Sequence, residues 1–566
     1  MIRKILLSLT VLCTSIICFA QDNSGEFHGD FDLNMQSYQE DKLIGAEAAD
    51  EIILNNSYLN INYTKGKFTT GLRYESYLNA LADYDPEFKG NGIPYRYATY
   101  SIDGLEITAG NYYEQLGSGL IFRSYENKNL GIDNAMDGVR LKYSSLKGMY
   151  LKTFIGKSRT HFTYADGIFR GIDGEINVND LFSCEAKTKA IVGGSFVSRY
   201  QERENPIFKI PQNVSAYAGR LNLMHGGWNY YGEYAYKIND PVNKTTESSM
   251  NYASGNAFTQ SITFSKKGFG VIAEMHRTDN MLFQSERDKN PIEKAYLINY
   301  IPTLSKNHAY SLLGLYPCAT QANGEFGMQF DVFYKIKKGS PLGGKYGTKF
   351  NFNYSRINAL HGGNSFLNDH AEHVPMLISV KGEELYFQDM NLEINKKINK
   401  QIRANFVVAN QTYNRDRLEK DEMKGVYGVL NSTILVADIS YKIKKGHTVR
   451  VELQTLKSKQ LEDYSEYGGT YKNGMKEPAE GDWSMGLIEY TISPHWFLAI
   501  QDMYNWGHEK AEKQLHYINI DAGFNKGANR FSIGYGKKRA GIFCVGGVCR
   551  TVDASNGFNV NISSSF

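Results

Sequence analysis

The stretch "GFNVNISSSF", Gly557–Phe566, alternates apolar and polar residues and ends on an aromatic side chain. Its apolar side chains share one side of a two-residue period: Phe558, Val560, Ile562 and Phe566. Asn559 and Asn561 lie on the other side. Because successive side chains of a β-strand point to opposite faces, this stretch is predicted to be a strand with one apolar face. We expect it to close a barrel against residues 27–36 and to present the signal that barrel-assembly machineries recognise.

The same alternation recurs along the chain. In "HTVRVELQT", Val449, Val451 and Leu453 alternate with Arg450, Glu452 and Gln454. No helical period competes with it in the region after the first 20 residues. Counting the alternating segments predicts an all-β protein of about 24 antiparallel strands, within roughly 22–26.

Connection lengths decide between a soluble sandwich and a membrane barrel. Short turns such as Asp103-Gly104 and Lys445-Gly446 alternate with long connections such as 115–137 and 278–323. A regular short–long order is typical of an outer-membrane β-barrel with tight periplasmic turns and long extracellular loops. The fold prediction is therefore a transmembrane antiparallel β-barrel whose long loops partly fill the lumen.

Composition agrees with a barrel in a lipid environment. The 566 residues include 40 Tyr and 30 Phe, which suits aromatic girdles at two membrane interfaces. Mean hydropathy is -0.43, as expected when only alternate strand residues face lipid. The net charge of +3 gives no reason to expect a nucleic-acid partner.

The first residues, "MIRKILLSLTVLCTSIICFAQ", have basic Arg3 and Lys4 before an apolar run and a small residue, Ala20. This order predicts a cleaved signal peptide over residues 1–20 and an exported barrel over residues 21–566. The apolar run is shorter than a membrane-spanning helix requires. We expect the barrel to lie in the bacterial outer membrane.

Two cysteines flank a Gly-Gly turn in "CVGGVC". The spacing of Cys544 and Cys549 suits a disulfide across a hairpin, and two free thiols are the alternative. Cys184 and Cys318 have no evident partner in the sequence.

A closed barrel of this size needs a plug. With strands about 4.8 Å apart and tilted by about 40°, 24 strands enclose a lumen roughly 45–50 Å across. The connection 278–323 carries "IPTLSKNHAYSLLGLYPCATQANGE", which is too apolar for a freely solvated loop. We expect it to plug the lumen; an ordered cap outside the barrel is the alternative.

Another inward connection is expected in "LGSGLIFRSYENKNLGIDNAMDGVRLKY", Leu116–Tyr143, where Gly117 and Gly119 let the chain bend. Its mixed charges are typical of a constriction: Arg123, Glu126, Lys128, Asp133, Asp137 and Arg140. An ion-paired brace of the loop is the alternative. Ser118 lacks a G-x-S-x-G context, so no enzyme activity is predicted.

The loop "LHGGNSFLNDHAEH" contains three histidines: His361, His370 and His373. Their spacing is not that of a known zinc motif, and a surface loop is the preferred interpretation. We predict no metal and no cofactor.

The chain resembles uncharacterised outer-membrane β-barrel proteins of the Bacteroidota. The resemblance is carried by "GSGLIFRSYENKNLGIDNAMDGVRLKY", "LYPCATQANGE" and "CVGGVC", with the signal peptide and the terminal Phe. It implies the fold and the compartment and brings no activity with it.

Two functions remain open from the sequence. The polar inner face and the mixed-charge connection favour a porin-like channel or transporter for small polar solutes. The large ring and the apolar connection 278–323 also suit a non-conducting scaffold or accessory subunit of a secretion or outer-membrane assembly complex, which would have protein partners in the envelope.

Overall fold

The computed structural model describes residues 25–566 apart from 82–83, 203–210, 239, 241, 244–249, 252–253, 288–295, 323, 361–383, 420–424, 468–470, 472–475 and 546–547. Long strands joined by turns and loops dominate the described part of the chain. The barrel strands are β1 Glu26–Tyr38, β2 Leu54–Lys65, β3 Phe68–Tyr77, β4 Gly90–Ile102, β5 Leu105–Tyr112, β6 Met136–Tyr143, β7 Met149–Thr160, β8 Thr163–Asn177, β9 Thr188–Tyr200, β10 Asn213–His225, β11 Trp228–Lys237, β12 Gly255–Lys266, β13 Phe269–Asp279, β14 Gly324–Ile336, β15 Thr348–Ala359, β16 Leu385–Lys397, β17 Ile402–Asn414, β18 Val429–Lys444, β19 His447–Gln460, β20 Trp483–Ile492, β21 Trp496–Asn505, β22 His516–Lys526, β23 Asn529–Lys538 and β24 Ser555–Ser565.

These 24 strands form one antiparallel sheet that closes on itself. Strand β24 pairs with β23 on one side and with β1 on the other, where Ile562 lies opposite Leu33. Beyond the strand, Phe566 and Gly29 exchange two backbone hydrogen bonds of 2.9 Å. The predicted closure and strand number are confirmed.

Phe566 also has a side-chain reason for its position. A Cβ at residue 29 would overlap the Phe566 ring, so only glycine leaves room for the aromatic side chain on β1. The assembly-signal role of this strand stays a prediction.

The turns at one rim are short. Between β4 and β5, Asp103 and Gly104 have φ values of 35° and 81°, the left-handed conformations that a two-residue hairpin turn requires. At the opposite rim most connections are long, as predicted, but β7 and β8 are joined there by residues 161–162 alone. Residues 178–181 form a short helix, Val178–Leu181, rather than the end of a strand predicted over 173–182, and β8 begins earlier, at Thr163.

Apolar side chains cover the outside of the barrel. Leu435 is 47% exposed, Leu453 58% and Ile488 58%, and each alternates with inward-facing neighbours on its strand. Such a belt is the surface that a transmembrane barrel presents to lipid. None of the helices among the described residues has the length and apolar character of a membrane-spanning helix.

Among the described residues, three additional two-stranded ladders lie outside the barrel sheet: Glu126–Asn127 with Ile132–Asp133, Val242–Asn243 with Met250–Asn251, and Gly541–Val545 with Val548–Val552. In the last ladder the backbone register places Cys544 directly opposite Cys549. The side chains of these cysteines lie outside the described residues, so the disulfide stays a prediction. Cys184 is a free, exposed cysteine and Cys318 a free, buried one.

Candidate functional site in the lumen

The connection between β5 and β6 enters the lumen, and its residues 113–135 are called the first inward segment below. Positive φ values of 54° at Gly117 and 102° at Gly119 produce the bend. The Ser118 N–H donates a 2.8 Å hydrogen bond to Glu233 on β11. Ile121 and Phe122 are fully buried in an apolar cluster with inward residues of the neighbouring strands. The segment is thus packed against the inside of the wall, as predicted.

The connection between β13 and β14 also enters the lumen, and its residues 296–322 are called the second inward segment. The two segments bind one another through their backbones: Arg123 donates to Ile298 at 2.6 Å, and Tyr300 donates to Gly119 at 2.9 Å. These hydrogen bonds satisfy peptide groups that the lumen would otherwise leave unpaired.

The second inward segment then packs on the inner faces of β16–β20. Its apolar anchors are Leu312, Leu313, Leu315 and Tyr316. The inward residues beneath them have exposed fractions of 0% to 4% and are called the covered wall: Asp389, Asn391, Val407, Gln411, Ile434, Val436, Gln454 and Met485. The prediction that connection 278–323 enters and fills the lumen is therefore confirmed for its described residues 296–322, and for them the outside-cap alternative is wrong.

Polar groups of the covered wall are matched by polar groups of the segment. Lys306 donates to Asn391 at 2.9 Å, and His308 binds the Asp389 carboxylate. Gln454 accepts from the backbone of Leu312 at 2.9 Å. Because buried polar groups are costly without partners, these contacts fix the position of the segment on the wall.

The opposite part of the inner face is different. The inward residues of β22–β24, β1 and β2 are polar and partly exposed, and they are called the open wall: Asn519, Asp521, Ser532, Asn559, Asn561, Ser563, Asp30, Asp32, Asn34, Gln36, Asn60 and Asn62. They lie in aligned rows, such as Ser532–Asn561–Asn34, because the register places them directly opposite one another. Gly534 on the same face leaves space for the side chains of Asp521 and Asn559.

Of these open-wall residues, sequence reasoning singled out Asn559 and Asn561 and missed the others. Their signal was present in "DFDLNMQ", residues 30–36, where every second residue is polar. Only the closed barrel reveals that this face stays in contact with water.

Of the predicted constriction residues, Glu126 and Asp133 brace the first inward segment. Both bind Arg73 of β3, with a Glu126–Arg73 distance of 2.9 Å, and Asp133 also binds the buried Arg159 at 2.5 Å. Glu75 completes the network with Arg159 at 2.5 Å. Glu126 and Asp133 therefore form an ion-paired brace of the first inward segment.

Lys128 and Arg123 have different surroundings. Lys128 extends from the first inward segment to the open wall, where its Nζ lies 2.8 Å from Asp32 Oδ2 and 4.2 Å from the centre of the Tyr58 ring. Arg123 stacks between the rings of Tyr125 and Tyr300 at 4.5 and 4.1 Å. Of the two, Lys128 is therefore the one that borders open lumen.

Arg140 belongs to a ladder of ion pairs on the inner face of β5–β10. It binds Glu106 at 2.7 Å, Lys152 binds Glu114 at 3.1 Å, and Arg220 binds Asp173 at 2.8 Å. These additional partners were not predicted, because their proximity depends on strand register.

Asp137 requires a correction. It alternates in phase with Val139, which is 47% exposed on the outside of the barrel, and its carboxylate lies 3.3 Å from Arg96 rather than near the other candidates. A short strand begins at Met136, and one residue of register is enough to turn Asp137 away from the lumen.

The predicted surface loop with His361, His370 and His373 lies outside the described residues. Within the described part of the chain, no three His, Cys, Asp or Glu side chains group as metal ligands would. Burial raises the pKa of the Cys318 thiol in the second inward segment well above its usual range, so this thiol is a packing group.

The chain is similar to several solved structures at low identity. The chain is similar to part of the P pilus tip assembly intermediate PapC-PapD-PapK-PapG of E. coli, with 8% identity, a TM-score of 0.49 and coverage of 98% of this chain, and it spans 62% of that chain. The siderophore receptor PirA from Pseudomonas aeruginosa has 8% identity and a TM-score of 0.41, and the match covers 97% of this chain and 81% of the receptor chain. A BenF-like porin from Pseudomonas fluorescens has 10% identity and a TM-score of 0.34, and the match covers 78% of this chain and 100% of the porin chain.

No curated protein matches the chain. A family model does match it, over residues 1–566, and that family has no known function. The protein therefore belongs to the family of unknown function DUF6029.

Proposed function

We propose that the protein is an outer-membrane channel through which small polar solutes pass along the open wall. The supporting observation is the difference between the two sides of the lumen. Polar side chains on β1, from Asp30 to Gln36, keep solvent contact along most of the strand, whereas the covered wall is sealed by the second inward segment. Amides, hydroxyls and carboxylates along a wet wall can replace the hydration of a polar solute.

A constriction of this route is proposed at the Lys128–Asp32 pair. Lys128 reaches the wall from the first inward segment, so it opposes the acidic group at a distance of 2.8 Å. A cation facing an anion at a constriction admits neutral and zwitterionic solutes more readily than large ions of one sign.

Planar-bilayer recording of the purified protein tests the channel. Asn559→Trp places a large side chain on the open wall and should lower single-channel conductance. Thr433→Trp places the same side chain on the lipid-facing side of β18, where residue 433 is exposed, and should leave conductance unchanged. Equal conductance of both variants and the wild type would contradict the route along the open wall.

A second candidate is a non-conducting scaffold in an envelope complex. It is favoured by the two apolar clusters that fill much of the lumen, because a transport route does not need so much packing. Absence of current from inserted wild-type protein, together with stoichiometric partners in native membrane extracts, would support this candidate over the channel.

Export and assembly complete the proposal. Residues 1–20 are proposed to be removed on export, and the outward residues Phe558, Val560, Ile562 and Phe566 of the closing strand to be recognised by the barrel-assembly machinery. Deleting Phe566 should reduce the amount of barrel in the membrane and leave conductance per channel unchanged. Normal membrane yield after the deletion would contradict the assembly role.

The hairpin disulfide can be tested separately. Intact mass after alkylation without reductant should show Cys544 and Cys549 protected. Alkylation of both thiols under those conditions would refute the bridge.

A further inference from the structure

The outer surface of β1–β5 contains a groove that the apolar belt does not fill. Its volume is about 530 Å³, and its outward-facing lining includes Ile61, Tyr63, Leu72, Ala98 and Ala109. Ala98 and Ala109 lie opposite one another in the register, so two small side chains form the floor of the groove. The groove is apolar and opens on the side of the barrel that faces lipid.

Arg96 borders the same groove. Its side chain is 56% exposed although it shares the outward face of β4 with Ala98. It donates to Tyr164 Oη at 3.0 Å and lies 3.3 Å from Asp137. A lipid-facing arginine destabilises a membrane barrel unless it reaches polar groups, so its retention beside an apolar groove calls for an explanation.

The local height of the wall places Arg96 near a membrane interface. Strand β5 ends at Tyr112 and β6 begins at Met136, and the intervening chain turns into the lumen. Asn111 and Asp137, the neighbours of Arg96, therefore lie at the upper edge of a low part of the wall. In the membrane placement proposed above, this edge is at the level of the lipid headgroups.

Further cations lie on the same outward face. Lys157 is opposite Asp137 in the register, and Arg170 is opposite Ile155, one row closer to the short turns. Both side chains are exposed. With Arg96, three cations lie on this surface beside the carboxylates of Asp137 and of the exposed Asp166 on β8, so cations outnumber carboxylates there.

We infer that this surface binds a phosphate-bearing membrane lipid, with an acyl chain in the groove and the phosphate on Arg96. The inference rests on the membrane placement proposed above. The groove supplies apolar contact for the acyl chain. The Arg96 guanidinium beside it can donate hydrogen bonds to the phosphate oxygens. Lys157 and Arg170 add attraction for the same headgroup.

Native mass spectrometry of the purified full-length protein in neutral detergent tests the site. Phosphatidylglycerol with palmitoyl chains should bind more tightly than phosphatidylcholine with the same chains. Arg96→Gln should weaken the phosphatidylglycerol complex about five- to tenfold, because it removes one charged contact near the headgroup. Lys457→Gln, which removes an exposed cation from β19, is the matched control and should leave binding unchanged.

Two further measurements distinguish the contribution of the apolar groove from that of the phosphate contact. Filling the groove with Ala98→Leu and Ala109→Leu should weaken both lipids and preserve heat-stable barrel mobility in gels, which shows that the variant has folded. Inorganic phosphate should not displace the lipid, since it lacks the acyl chain. Equal binding by Arg96→Gln and Lys457→Gln, no preference between the two lipids, or displacement by phosphate would each overturn the inference.

The inference and the channel proposal fail in different ways. Arg96 lies outside the lumen, so Arg96→Gln should conduct as the wild type does. A conducting protein without lipid preference would overturn the lipid site alone, whereas lipid retention without current would overturn the channel alone.

Discussion

The covered wall and the open wall are built from the same kind of strand and differ in what lies on them. On β18, Ile434 and Val436 face inward and are buried by the second inward segment. On β24, Asn559 and Asn561 occupy equivalent inward positions and keep contact with water. The comparison teaches that an inward-facing position in this barrel has no fixed environment. A wall touched by the inward segments becomes a protein core, and a wall beyond their reach remains a polar surface.

The largest effect is expected from removing the second inward segment. Replacing residues 299–321 with a short Gly-Ser linker should raise single-channel conductance several-fold, because the segment that separates the covered wall from water is lost. Bilayer recording measures it, and Leu312→Asp, which places a charge in the same cluster, should act in the same direction. Unchanged conductance in both variants would mean that this segment does not obstruct the lumen.

A smaller effect is expected on the free energy of unfolding, which should depend on whether a substitution lies in the cluster on the covered wall or on the open wall. Leu312→Ala should lower the free energy of unfolding by about 2–5 kcal/mol, since it leaves a cavity in a fully buried cluster. Asn559→Ala on the open wall should change it by less than about 0.5 kcal/mol. Denaturant titration in micelles measures both, and similar values would erase the distinction between the walls.

The next smaller effect on stability is expected from the polar contacts between the covered wall and the second inward segment. Asp389→Ala leaves His308 without its buried partner and should destabilise the protein by about 1–3 kcal/mol. Asp389→Asn retains an acceptor at the same position and is the matched control. If the two substitutions are equally harmless in denaturant titrations, the His308 contact does not hold the segment in place.

The smallest effect concerns the open wall itself. Lys128→Ala removes the cation opposite Asp32, so the route should become more permeable to cations relative to anions. Reversal potentials in a salt gradient measure the change. Lys147→Ala, at a short turn between β6 and β7, is the control, and the same reversal potential in both variants would remove the constriction from the proposal.

Much of the fold could be read from the sequence because it depends on local alternation. The 24 strands, the short and long rims and the pairing of residues 557–565 with β1 follow from a two-residue period and from connection lengths. The apolar content of 278–323 predicted burial for the same reason: apolar side chains leave water wherever they can. The error at β8 arose where Thr163–Asp173 carries glycines and charges that weaken the alternation.

The site depended on information that alternation does not contain. Glu126 and Asp133 were selected as constriction candidates, but their partners Arg73 and Arg159 come from other strands. Asp137 was assigned to the lumen because its neighbours in the chain are there, and the register turned it outward. Arg96 and its groove carried no sequence signal, since small residues are informative only when adjacent strands bring them together.

The sequence by itself determined that this protein forms a barrel, where its strands lie and that an apolar connection must be buried. Those features follow from side-chain alternation and from the removal of apolar surface from water, both local properties of the chain. The tertiary structure alone decided which wall the inward segments cover, which polar side chains remain wet and where Arg96 meets its groove. These depend on closure and register, through which residues far apart in the chain become neighbours.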